Sequence, residues 1–221
     1  MSLLLPAGGA TVAANLECTY AGSAVNTGSV SSPITVSSVP IGAANAGRQV
    51  VVVCCMAADN GTSTITAATV GGVSATQVAV TADAGGRCTW MGIANVPSGT
   101  TGDVVITYSA YTSSTMWVGA YRCLNINTTA TDTEVSQANP FVFTMSCVAG
   151  GVIIGGGMAD QMTAWAWTNA AEVVDEQSES TNYCTLALDL ESATVTDRTV
   201  TATPTGAAAN RAGVMAAFQK A

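Results

Sequence analysis

The 221 residues contain no histidine and a single lysine, Lys220. Charged residues make up 9% of the chain, against about a quarter in ordinary soluble proteins. Without an imidazole, serine–histidine and cysteine–histidine catalysis is ruled out, and so is a mixed cysteine–histidine zinc site. The arginines stand singly, at 48, 87, 122, 198 and 211. A nucleic-acid binder needs clustered cations to displace counterions, and the net charge here is −8 with a pI near 4.1. No nucleic-acid partner is expected. Long apolar runs are missing too. The longest, Cys147 to Ala159, is 13 residues and includes five glycines, whereas a spanning helix needs about 20 apolar residues. No membrane contact is expected. The N-terminus, MSLLLPAGGATVAANL, has no basic region and is interrupted by Pro6. It reads as an arm on a chain made in the cytoplasm, not as a targeting segment.

What the chain does contain is Gly, Ala, Val, Thr and Ser in short runs of strand periodicity. Mean hydropathy is +0.39, spread over many short segments, as in a sheet protein with both faces covered. Ser32 to Ser38 alternates. Gly47 to Ala57 is a continuous apolar run and a candidate central strand. Gly71-Gly72 sits between two alternating runs and supplies the positive φ that a hairpin turn demands. Cys88 and Trp90 fall on one face of the next strand, with Met91 and Ile93 on the other. Met116, Val118 and Ala120 oppose Trp117, Tyr121 and Cys123, and Cys184, Leu186, Leu188 and Leu190 share a face. VSQANP and QMTAWAWTNAAEVVDEQSES read as loops, as does the Ala-rich tract around Asn210. Roughly a dozen strands at this spacing predict an all-β fold: a single antiparallel β-sandwich, jelly-roll-like, with a short N-terminal arm. Residues 1–16 form the arm and residues 17–221 one domain. Leu3, Leu4 and Leu5 in the arm are interface candidates, either covering their own sheet or docking on a neighbour. Burying each contributes roughly 1.5–3 kcal/mol.

Seven cysteines occur, at 18, 54, 55, 88, 123, 147 and 184, with no CxxC pair. Free cysteine is often a small buried hydrophobe, and most of these lie in apolar strands. The candidates for disulfides, within or between chains, are Cys54, Cys55, Cys88, Cys123, Cys147 and Cys184. Adjacent Cys54 and Cys55 point to opposite faces of a strand, so they do not bridge each other. The odd total leaves one thiol unpaired or joined to another chain.

Other chemistry is weakly signalled. Asp160 with Asp175 shows no spacing that marks a glycosidase pair. GVIIGGGMAD has no lysine and no helix pattern after it, so its glycines mark a closely packed strand and not a phosphate loop. EVVDEQSE reads as a solvated loop. A calcium site from Asp175, Glu176 and Glu179 is the sharper reading, although the spacing fits no EF-hand. No metal, cofactor or catalytic residue is expected. Trp165 and Trp167, two apart, lie on one side of an extended chain; with Tyr108 and Tyr111 they are either packing residues or platforms for sugar faces.

Four pieces carry a resemblance: Gly47-Arg48 leading into a valine-rich strand, the Val70 to Val73 hairpin, the Pro97 to Thr100 turn and the Gly150 to Val152 strand start. Over about residues 30–220 the chain resembles β-sandwich structural proteins of tailed-bacteriophage and prophage virions. The resemblance implies virion surface structure and no defined reaction. The first expectation is a capsid decoration or cement protein on the outer surface of the head. It would be a homo-oligomer, a trimer, that contacts the major capsid protein or other virion proteins and bridges capsid subunits. The second is a tail- or fibre-associated carbohydrate-binding module using Trp165 and Trp167. A bacterial surface adhesin domain is a third.

Overall fold

A computed structural model describes residues 15–58, 61–109, 113–170, 172–179, 182–206 and 208–221. At 29–30, 113–114 and 172–179 the backbone alone is described. Leu3, Leu4, Leu5 and Tyr111, and the side chains of Asp175, Glu176 and Glu179, lie outside the described residues.

The chain is all-β and antiparallel, a sandwich-like arrangement of four sheets. Residues up to 124 supply β1 (Glu17–Val30), β2 (Ile34–Pro40), β3 (Gln49–Ala58), β4 (Ile65–Val70), β5 (Val73–Ser74), β6 (Thr76–Ala82), β7 (Arg87–Asn95), β8 (Thr101–Tyr108) and β9 (Ser113–Leu124). The remainder supplies β10 (Asp132–Ser136), β11 (Phe141–Cys147), β12 (Val152–Asp160), β13 (Met162–Thr168), β14 (Glu172–Glu179), β15 (Asn182–Leu190), β16 (Val195–Gly206) and β17 (Arg211–Phe218).

The two halves repeat one topology. In the first, a sheet ordered β1-β9-β3-β7-β6 faces one ordered β2-β8-β4-β5. In the second, β10-β17-β12-β15-β14 faces β11-β16-β13. Within each half the chain behaves as a ribbon folded double: β1 pairs with β9, β2 with β8, β3 with β7 and β4 with β5. The second half follows suit, with β10 on β17, β11 on β16 and β12 on β15. This nested pairing occurs twice in tandem and is compatible with a jelly-roll winding.

Each sandwich has its own core. In the first, Val50, Val52, Cys54, Met56, Trp90 and Val118 pack against Ile34, Val70, Val104 and Ile106. In the second, Ile153, Met215 and Ala217 pack against Phe141, Phe143, Val200 and Trp165. A third core joins them back to back. Val51, Val53, Cys55, Met91, Ile93, Trp117 and Tyr121 from the first inner sheet meet Ile154, Met158, Leu186, Leu188, Val214 and Phe218 from the second. The molecule is therefore four layers deep, and the two middle sheets are covered on both faces. That is why β12 is buried along its whole length and β3 from Val50 onward, as a strand covered on both faces requires.

Two readings of the sequence are corrected. QMTAWAW and EVVDEQSE are strands, β13 and β14, not loops. Their ladders come from partners remote in sequence: β13 pairs with β16 and β14 with β15. The hairpin at Gly71-Gly72 is present, with φ +56° and +82°. Its second arm pairs with β4 only over Val73–Ser74; from Thr76 it crosses to the inner sheet beside β7.

Candidate functional site

In a chain this poor in charge, the places where charged groups gather are the places to look for chemistry. Among the described residues three stand out, and each acts as a brace.

The first is Arg48, which precedes the apolar run of β3 and is 0% exposed. Its guanidinium donates from Nε to the Val96 carbonyl (2.6 Å), from Nη1 to Gly42 (2.6 Å), Gly99 (2.9 Å) and Ile41 (3.3 Å), and from Nη2 to Ser98 (2.7 Å). Desolvation, with repulsion from Arg122, lowers its pKa. The five carbonyls stand in for a carboxylate, so the charge is held by dipoles. Two of the pieces that carried the family resemblance, Gly47-Arg48 and the Pro97 to Thr100 turn, are thereby one structural unit.

The second is a clasp across the upper end of the seam between the sandwiches. Asp83, after β6, accepts from the backbone N–H of Gly85 (3.0 Å) and Arg87 (2.8 Å) through Oδ1, and of Arg211 (2.5 Å) through Oδ2. Asp160, ending β12, accepts from Ala209 N–H (3.1 Å), Asn210 N–H (2.9 Å) and Asn210 Nδ2 (2.7 Å), and pairs with Arg87 at 3.4 Å. Burial alone would raise the Asp160 pKa, but the hydrogen bonds from Asn210 and Ala209, with Arg87, outweigh it and hold the carboxyl below the ordinary value. Thr89 Oγ1 adds a bond to the Ala212 carbonyl (2.8 Å), and Gln137 Nε2 bonds Thr81 and Ala82. Both carboxylates are committed to internal donors, so neither is poised as a general base.

The third lies at the base of the second sandwich. Arg198 on β16 bridges Asp189 (2.7 Å) and Glu191. Both acids are buried, 8% and 7% exposed. Burial first, and the neighbouring Asp189 second, push the Glu191 pKa up against the pull of Arg198. Beside them an open groove is lined by Thr131, Ser146, Cys147, Val148, Thr194 and Gln219. The Cys147 thiol there is pushed up to about 11 by burial, with Glu191 adding to it. A thiol at that value is protonated at neutral pH and is a poor nucleophile.

The sugar-platform residues face inward. Trp165 is 7% exposed and stacks on Phe141, centroids 5.2 Å apart. Trp167 shares its side of β13 and is partly buried against the same core, its Nε1 donating to Thr185 Oγ1 at 2.8 Å. Tyr108 is 4% exposed. The shared side inferred from their spacing is real, and it is the core side.

Of the disulfide candidates, Cys123 is bonded within the chain, and its partner is Cys18, which was not among them. Cys54, Cys55, Cys88, Cys147 and Cys184 are free and buried. Cys54 and Cys55 do point to opposite faces, one into the first core and one into the seam. Burial pushes the Cys88 thiol up to about 12 and the Cys54 thiol well above its ordinary value. Cys18 stood outside the apolar runs that drew attention to the others. Its partner is fixed by pairing between β1 and β9, 105 residues apart.

Among the described residues no group of three or more His, Cys, Asp or Glu could hold a metal. All five arginines are engaged inside the chain, Arg122 with the Ala43 carbonyl and Glu17, and Arg211 with the Gln137, Ala208 and Ala209 carbonyls. No family model matches this chain, and no curated protein matches it.

Proposed function

We propose that the chain is a virion structural protein, a decoration or cement protein on the outside of a tailed-phage head that stabilises the shell by bridging capsid subunits. It acts by binding and performs no bond-making. It works as a homo-oligomer, a trimer, against the major capsid protein, and it needs no cofactor, nucleic acid or membrane.

The observation that carries this reading is the use to which the charged residues are put. Four of the five arginines brace the Arg48 cage, the seam clasp or the Arg198 bridge, and Arg122 ties the Ala43 carbonyl and Glu17. A protein that holds position for the life of a particle needs rigidity. Two sandwiches welded through a shared apolar core supply it, because each inner sheet loses a water-facing side. The outward rows of β16 (Thr199, Thr203, Thr205) and β8 (Thr101, Thr107) are exposed and carry one acid each, Asp197 and Asp103. Such faces meet another protein with little desolvation of charge.

The test is occupancy on native particles. Purified chain added to heads lacking it should decorate the shell, seen by electron microscopy, and raise the temperature at which DNA is released. A chain missing residues 1–16 should decorate less. Failure of the whole chain to bind heads refutes the reading; equal occupancy without residues 1–16 refutes the part given to the arm.

A further inference from the structure

Strand β1 is the outer edge of its sheet and has one ladder partner, β9. An edge strand opens at low cost, since unpairing it disturbs one ladder alone. Cys18 is the second residue of β1, and it faces Cys123 directly in the register. The disulfide between them is buried, its residues 1% and 0% exposed, inside the core that welds the sandwiches. Residues 1–14 continue from this end of the strand. The bond therefore sits where peeling of β1 by a pull on its N-terminal side would begin. The second half is built differently at the matching place. Cys123 faces Gln49 at the start of β3, and its counterpart Phe218 faces Val152 at the start of β12; β10, the counterpart of β1, contains no cysteine.

We propose that Cys18–Cys123 is a redox latch on the edge strand β1: open while the chain is in a reducing compartment, closed by oxidation after the strands have paired. Antiparallel register already places the two residues opposite each other, so closure needs no refolding. With glutathione disulfide as oxidant, admitted when the N-terminal end of β1 momentarily unpairs, one protein thiolate attacks a glutathione sulfur and releases one glutathione. The second protein thiolate then displaces the other. Two protein thiols give up two protons and two electrons, and glutathione disulfide becomes two glutathione thiols. None of the five remaining cysteines faces another across a ladder, so none takes part. The proposal stands whether or not the chain is a virion protein.

The test uses the full chain, held either with a phosphine reductant or with glutathione disulfide. Alkylation in denaturant, read by mass spectrometry, should count seven thiols in the first state and five, seven less the bonded pair, in the second. Hydrogen exchange should be roughly tenfold faster over 17–30 in the reduced state, with 132–136 unchanged as the internal control. A Cys18→Ser, Cys123→Ser double variant should match the hydrogen exchange of the reduced protein over 17–30 in either buffer. Seven thiols after oxidation, equal protection of 17–30 in both states, or loss of protection at 132–136 as well on reduction would each overturn the latch.

Discussion

Leu186 of β15 occupies the space that a side chain on Gly119 of β9 would need: a Cβ built at 119 collides with Leu186 Cδ1. The same leucine crowds Gly156 of β12, where a Cβ would come within 2.9 Å of Leu186 Cδ2 and of Val53 Cγ1. The seam between the sandwiches is thus a knob of one inner sheet set against bare backbone of the other. Gly119→Ala should destabilise the fold by about 1–3 kcal/mol, the usual cost of overpacking. Leu186→Ala alone should cost about 2–5 kcal/mol. Combined, they should cost less than their sum, because the smaller side chain makes room for the added methyl. Urea midpoints of the three variants check this; strict additivity would show that 119 and 186 do not meet in solution.

The Arg48 cage gives a second expectation. Removing the guanidinium strands the buried Val96 and Ile41 carbonyls and frees the part-buried carbonyls of Gly42, Ser98 and Gly99; each unpaired group costs about 1–3 kcal/mol where water cannot reach it. Arg48→Met keeps the length of the side chain and loses every donor, so a loss of about 2–6 kcal/mol is expected. Arg48→Lys keeps the charge but not the planar fork, and should recover only part of that. A lysine variant as stable as the parent in thermal melts would mean that charge alone, and not the array of donors, holds the 97–100 turn.

How far these features were readable in advance depended on whether their cause was local. Strand β3 was readable because nine successive buried residues from Val50 to Ala58 leave a continuous apolar run, and β7 because Cys88 and Trp90 alternate with Met91 and Ile93. Such runs also imply a layer on each side of the strand, which a two-layer sandwich does not provide; that clue pointed to four layers. Strands β13 and β14 were not readable. Alanines in β13 and acidic residues in β14 weaken their local preference, and their pairing is dictated by β16 and β15. The Cys18 bond and the Asp83–Asp160 clasp join residues far apart in the chain, so no spacing announced them. Arg48 offered a signal that was available: an arginine with no acid near it in sequence, placed at the head of a buried strand.

Trp165 separates packing from recognition. Its ring lies on Phe141 within the second core, and its Nε1 has no hydrogen-bond partner there. Trp165→Ala should cost about 3–5 kcal/mol, as expected for a large buried aromatic, and leave sugar binding where it was. Val142, on the outward side of β11 and 46% exposed, is the control: Val142→Ala should change stability by less than about 0.5 kcal/mol. Retained stability in Trp165→Ala, measured by guanidinium denaturation, would return this residue to the list of surface platforms.

The two shifted carboxyls act on stability in opposite directions. Asp160 sits below its ordinary value of 3.8 because hydrogen bonds and Arg87 favour its charged form. The folded chain holds that proton less tightly than the unfolded one, so the contribution is fully present above about pH 3.8 and is lost as pH falls through the lowered value. Glu191 sits above its ordinary 4.5 because burial, and then Asp189, disfavour its charge. Here the folded chain holds the proton more tightly. That contribution is complete below pH 4.5 and declines as pH rises through the raised value. Denaturation midpoints from pH 2 to pH 7 at fixed ionic strength should therefore show two limbs with different owners. Asp160→Asn should flatten the acid limb alone, at the expense of some stability near neutrality because an amide cannot match a carboxylate as acceptor for all four donors. Glu191→Gln should flatten the fall above pH 4.5, since a neutral amide beside Asp189 no longer forces a second charge onto the single guanidinium of Arg198. If either variant tracks the parent across its own limb, the charge balance assigned to that brace is wrong.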